Sequence, residues 1–133
     1  MIKLACLFVW SVMHIIKAAE AQRFELPGVE FSAMAAPSRG SADVCTWRLT
    51  VAPRRESDDA HVLDRDEIFM VLSGELEISG QRLSAGDVAI VPAGAPIAVG
   101  NPGDEPAVAH IAIAAGFQAT MADGSKLSPP WAQ

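Results

Sequence analysis

The sequence predicts a single all-β domain of the sandwich or barrel type. Three observations carry that reading. Apolar and polar residues alternate over short runs, turn-forming residues separate those runs at regular intervals, and the chain is long enough for one core but too short for two. The 133 residues are 50% apolar and 20% charged, which excludes a disordered polar tail. The 10 Gly and 9 Pro stand mostly singly, often beside Asp, Asn or Ser, and so promise many short elements.

The elements follow in order. Residues 1–21 are a hydrophobic extension compatible with a helix, and the predicted domain occupies residues 22–133. Leu4 to Ile16 is apolar apart from Ser11 and His14, which is too short for a stable membrane span. Ala19-Glu20-Ala21 resembles a signal-peptidase site, so export is an alternative to a cytoplasmic location. Lys17 behind the apolar run argues against export, and Met13 offers a second possible start.

Phe24 to Leu26 and Val29 to Phe31 read as short edge strands around Pro27-Gly28. In the run Val44 to Val51, Cys45, Trp47, Leu49 and Val51 share one face of a half-buried strand. Ala52 to Asp59 is a solvated loop. Glu67 to Leu72 and Glu75 to Ile78 are strands joined by Ser73-Gly74, and Ser79-Gly80 turns the chain back into Gln81 to Leu83. Val88 to Val91 is uninterrupted by polar residues and reads as a strand buried on both faces. Ile97 to Val99 is brief, and Ala107 to Ala114 is the long final strand. The tail from Ser125, with Pro129-Pro130-Trp131, is expected to leave the sheet and lie across the surface with Trp131 docked.

Ten basic against sixteen acidic residues give a formal charge of -6, so a nucleic-acid partner held through its phosphates is not expected. The two cysteines, Cys6 and Cys45, form no metal-ligand spacing, and Cys45 reads as a small buried apolar residue.

Two spaced patterns then resemble the cupins, small double-stranded β-helix or jelly-roll barrels. The first cupin motif, G-x5-H-x-H-x3-E-x6-G, is matched by His61, Glu67 and Gly74, with Arg55 at its first glycine and Leu63 at its second histidine. The second, G-x5-P-x-G-x2-H-x3-N, is matched by Gly86, Pro92, Gly94 and Asn101, with Ile97 at its histidine. The resemblance spans about residues 24 to 118. It implies a jelly-roll fold, and its glycines and prolines specify turns rather than activity.

In metal-bearing cupins three histidines and a glutamate hold a divalent ion. The resemblance therefore carries ligands only onto His61 and Glu67, because Leu63 and Ile97 cannot ligate. His110, in phase with Val108 and Ala112 on the long strand, is the residue that would complete a site by facing inward. No cofactor is expected, with a divalent metal as the alternative. Aliphatic groups at two ligand positions make the pocket drier, which favours a protonated Glu67 and sets it beside His61 as a proton-handling pair of the isomerase or cyclase kind. The plainer alternative is that the two bond to each other or to Arg48. Strand phase gives Trp47, Leu63, Phe69, Ile97, Val99 and His110 as pocket residues, which suits an apolar or aromatic ligand. The loop Arg54-Arg55-Glu56-Ser57-Asp58-Asp59, if functional, rims the mouth.

Three function classes follow: a metal-free cupin that binds a small molecule and handles protons, a metal-dependent dioxygenase or lyase completed by His110 or by a partner subunit, and a non-enzymatic binding or scaffold protein. Family resemblance and the unprotected edges of an open roll also lead to the expectation of a homodimer.

Overall fold

A computed structural model describes residues 12–133. Most of the predicted leader helix therefore lies outside the described residues. Within the rest of the leader, Ala18–Glu20 forms one 3-10 turn, and Val12, Met13 and Ile15 are exposed. No helix among the described residues is long and apolar enough to cross a membrane.

The strands run β1 (Arg23–Leu26), β2 (Val29–Ala33), β3 (Val44–Val51), β4 (His61–Leu63), β5 (Glu67–Ser73), β6 (Glu75–Ile78), β7 (Gln81–Ser84), β8 (Val88–Val91), β9 (Pro96–Ile97), β10 (Val99–Gly100), β11 (Ala107–Ala114), β12 (Ala119–Thr120) and β13 (Lys126–Leu127). A six-stranded sheet has the order β1-β2-β3-β11-β5-β8. A four-stranded sheet has the order β13-β12-β4-β9, and a three-stranded sheet the order β10-β6-β7. All the pairings are antiparallel. The crossovers in the six-stranded sheet, where β11 lies between β3 and β5, are those of a jelly roll.

Period two sets the core. Cys45, Trp47, Leu49 and Val51 of β3 are buried, as are Ala107, Ala109, Ile111 and Ile113 of the paired β11. These inner faces meet Leu63, Ile97 and Ala119 of the four-stranded sheet and Leu76, Ile78, Leu83 and Val99 of the three-stranded one in a single cluster. Cys45 is a free buried thiol whose Sγ lies 3.3 Å from the Ala132 carbonyl oxygen.

The motif residues serve the turns. Gly74 has φ 72, and a side chain there would collide with the backbone of Pro106 and Ala107, so the β5–β6 turn admits only glycine without rearrangement. Asn101, 1% exposed, donates from Nδ2 to the carbonyls of Val51 and Glu105 and accepts from the Gly103 amide, tying the β10–β11 connection to β3.

Two expectations need correction. Val88 to Val91 is the outer edge strand of the six-stranded sheet, not a strand buried on both faces: Val88 is 58% and Ile90 66% exposed. An apolar run without polar interruption cannot distinguish a central strand from an edge. The strand Ala107–Ala114 is not the last, because β12 and β13 follow it, and Lys126 and Leu127 of the tail pair with Thr120 and Ala119. Beyond them the tail does dock Trp131, whose ring stacks on Phe31.

Candidate functional site

A cavity of about 440 Å³ lies on the inner face of the six-stranded sheet. Trp47, Glu67, Phe69 and Ile111 of that sheet line it, with His61, Leu63 and Ala119 of the four-stranded sheet. The C-terminal residues Leu127, Pro129 and Trp131 add to the wall, and Arg55, Asp58 and Asp59 come from the β3–β4 loop. Its size is within the range of small-molecule sites, and apolar side chains form most of the lining.

Glu67 owes its position to β5, where it alternates inward with Phe69 and Val71 and stands in register with Ile113 on β11 and Val91 on β8. It is 4% exposed. Burial pushes its carboxyl up to about 8, because the ionised form loses hydration and no cation among the described residues pairs with it. Among the described residues no hydrogen bond or ion pair engages that carboxyl. The alternative partner, Arg48, instead points its Nε to His110 Nε2 at 3.3 Å. His61, on β4, is held below the usual imidazole value by burial, which the charge of Asp58 partly opposes. At neutral pH the cavity thus presents an un-ionised carboxylic acid, able to donate a proton, and a neutral imidazole, able to accept one.

The rim is braced by Arg55. Its Nε donates to the Pro27 carbonyl at 3.1 Å and its Nη1 to the Val99 carbonyl at 3.2 Å, and Asp58 lies 3.8 Å from Nη1. Asp58 in turn accepts from the Val99 amide at 2.9 Å. Gly28, at φ 75, lets the Arg55 stem cross it: a Cβ there would come within 2.9 Å of Arg55 Cδ.

Of the residues expected in the pocket, Trp47, Leu63, Phe69 and Val99 are on the cavity wall with His61 and Glu67. Ile97 and His110 are not. Ile97 stands in register with His61 but is 1% exposed and packs into the core beside the cavity. His110 shares its phase with Val108 and Ala112, and that is the outward face of β11, since Ala109, Ile111 and Ile113 are the buried positions. Burial and then Arg48 lower its pKa.

Sequence reasoning missed Phe31, Ile111, Phe117 and Trp131 on the cavity wall. Phe31 and Ile111 were within reach, being in phase with the buried Val29 and Ala109. Phe117 and Trp131 lie outside regular alternation, and nothing local gives their direction.

Metal-bearing cupins hold a divalent ion at these motif positions, and the donor chemistry here does not fit one. Leu63 and Ile97 replace two imidazoles, His110 faces away, and among the described residues no three His, Cys, Asp or Glu side chains gather as a metal-binding group. An imidazole and one carboxyl leave most of the coordination sphere to water.

A family model described as a cupin domain matches residues 47–113, half of the chain. The chain belongs to the cupin family. No curated protein matches this cupin in sequence. Among solved structures, the cupin is similar to the polyketide cyclase of Streptomyces resistomycificus, with 11% identity over 77% of this chain and 80% of that one and a TM-score of 0.69. It is similar to a sugar phosphate isomerase of Silicibacter pomeroyi, with 19% identity over 82% of each chain and a TM-score of 0.66. It is also similar to an E162A mutant of Bacillus subtilis oxalate decarboxylase, with 22% identity over 80% of this chain, 31% of that one, and a TM-score of 0.68. At such identities the likeness shows the shared fold alone.

Proposed function

We propose that this cupin binds a small, uncharged, apolar or aromatic molecule in the cavity, and that Glu67 and His61 equip the site for proton transfer without a metal. One observation supports this above the others: Glu67 is buried at the wall of an aromatic-lined cavity with no cation beside it. At the rim Asp58 and Asp59 outnumber Arg55, whose guanidinium is already bonded to the Pro27 and Val99 carbonyls, whereas inside a neutral ring meets Trp47, Phe69 and Phe117.

The chemistry follows from the two protonation states. With a ligand carbonyl in the cavity, Glu67 gives its proton to the carbonyl oxygen while neutral His61 takes one from the adjacent carbon. The C–H bond breaks as the O–H bond forms, and reversal at another carbon completes an isomerisation. A binding protein without turnover needs the same apolar cavity but not the acid, so Glu67→Gln separates the two: it leaves binding intact and abolishes any proton transfer.

Equilibrium dialysis with fluorene, a planar hydrocarbon, tests the binding claim. Saturable one-to-one binding is expected, and it should be lost in Ala119→Phe, which places a ring inside the cavity of a folded protein. Absence of saturable binding, or binding that Ala119→Phe leaves unchanged, overturns the reading.

We also propose that the cupin forms a homodimer through β8, whose outer edge is unpaired among the described residues and whose exposed Val88 and Ile90 suit antiparallel pairing with the same strand of a second copy.

A further inference from the structure

Glu67 brings two carboxyl oxygens to the cavity wall, and both stay open to the cavity. Among the described residues, Trp131 Nε1 is the only buried side-chain nitrogen or oxygen that is closed off from the surface without a hydrogen-bond partner. The Glu67 oxygens have no partner there either, so each keeps accessible surface. With the residue only 4% exposed, that surface is what the cavity provides.

A carboxylic acid buried without a cation stays un-ionised, and it then carries a donor on one oxygen and an acceptor on the other, side by side in one plane. A ligand that leaves either unmet in an apolar surrounding forfeits more than one bond gains. The walls around this edge are flat. Phe69 stands two residues from Glu67 on the same face of β5, and Trp47 lies beyond Ile111 in register with it across β11. Trp47 and Phe117 stack with centroids 5.9 Å apart and planes 26° from parallel. Such a lining suits a fused-ring ligand.

We propose that the cavity takes a planar lactam, a fused-ring compound whose ring N–H and carbonyl lie side by side and pair edge to edge with the two oxygens of Glu67. This rests on the reading of the cavity as a binding pocket and deepens it by naming the ligand class. The acid O–H donates to the lactam carbonyl, and the other Glu67 oxygen accepts from the lactam N–H. A simple ketone meets only the first of these. A ligand carboxylic acid has the same edge but ionises at neutral pH and would have to leave its hydration for an apolar cavity. A lactam offers the edge without the charge.

The test compares 2-quinolone with coumarin, which share a fused-ring frame and a carbonyl and differ in a ring N–H against a ring oxygen. Dissociation constants are measured for the unaltered protein, Glu67→Gln and Glu67→Leu. The unaltered protein should bind 2-quinolone about tenfold more tightly than coumarin. Glu67→Gln keeps a donor and an acceptor side by side and should keep most of that preference. Glu67→Leu, an apolar side chain on an apolar wall, should bring the two affinities close together. Only their ratio is read, because either substitution reshapes the wall for both compounds. In a second measurement, the N–H proton of ¹⁵N-labelled 2-quinolone should move downfield on binding the unaltered protein and not on binding Glu67→Leu. If fluorene binds but 2-quinolone gains nothing over coumarin, or if the preference survives in Glu67→Leu or vanishes in Glu67→Gln, the pairing with Glu67 fails while the pocket stands. If none of the three compounds binds, the pocket reading and the pairing fail together.

Discussion

His61 stands directly opposite Ile97 across the β4–β9 pair, so the cross-strand neighbour of the one cavity imidazole is an aliphatic side chain. With Leu63 two residues along β4 on the cavity wall, this replaces two of the donors that a cupin metal site needs. Restoring them should restore metal affinity. Leu63→His with Ile97→His is expected to bind Zn²⁺ or Mn²⁺ at least about a hundredfold more tightly than the natural protein in calorimetric titration. Stoichiometric, tight binding by the unaltered chain would contradict the donor argument.

Glu67 should make stability fall as pH rises. Its carboxyl has an ordinary value of 4.5 when unfolded and about 8 when folded, so between these values the folded state holds a proton that the unfolded state has released. The stabilisation is complete below pH 4.5, is lost progressively up to about pH 8, and is level above that as far as this group is concerned. The total is on the order of a few kcal/mol. Glu67→Gln should flatten this part of the profile, read from urea midpoints between pH 5 and 9, roughly the range the shift covers. An unchanged slope would show that the carboxyl is already ionised in the folded protein.

The face-to-face pair of Phe31 and Trp131 is expected to hold the tail down. Phe31→Ala removes the stack and part of the cavity wall, and should cost about 1–3 kcal/mol of stability. It should also speed tryptic cleavage after Lys126, which is exposed on β13 just before the docked segment. Equal cleavage rates in the two proteins would show that the side-chain hydrogen bonds from Arg39 Nη2 to the Trp131 carbonyl and from Cys45 Sγ to the Ala132 carbonyl suffice to fix the tail.

Edge pairing through β8 has its own test. Ile90→Lys puts a charge on a side chain that is 66% exposed, so it should barely disturb the monomer fold, yet it should turn a dimer into a monomer by light scattering. A monomer in the unaltered protein, or a dimer that survives Ile90→Lys, removes β8 from the interface.

A sandwich or barrel was legible because local chemistry repeats, and the two spaced motifs narrowed it to a jelly roll: alternation in Val44 to Val51 gave β3 to the residue, Gly74 marks a turn that a Cβ would obstruct, and Asn101 marks one that its side-chain amide ties. The inward direction of Glu67 came instead from the resemblance, since Glu67 falls on the glutamate of the first cupin motif, whereas the apolar run Ile68 to Leu72 behind it has no polar alternation to fix its phase. His110 was misplaced because a strand of small apolar residues, Ala-Val-Ala-His-Ile-Ala-Ile-Ala, carries almost no phase of its own: both faces read as apolar, and a one-residue slip reverses the direction. Val88 to Val91 failed differently, since edge or centre is decided by which strand is absent from the far side. Phe117 and Trp131 reach the cavity through tertiary contacts that no local pattern encodes.

Titration of the Glu67 side chain by ¹³C NMR, assigned through the Glu67→Gln variant, tests the neutral-acid site most directly. A carboxyl resonance that titrates with a midpoint of about 8 supports an un-ionised acid in an apolar pocket at neutral pH. A midpoint near the ordinary 4.5 would mean a charged carboxylate in contact with water or a cation, and would remove the basis for metal-free proton transfer in this cavity.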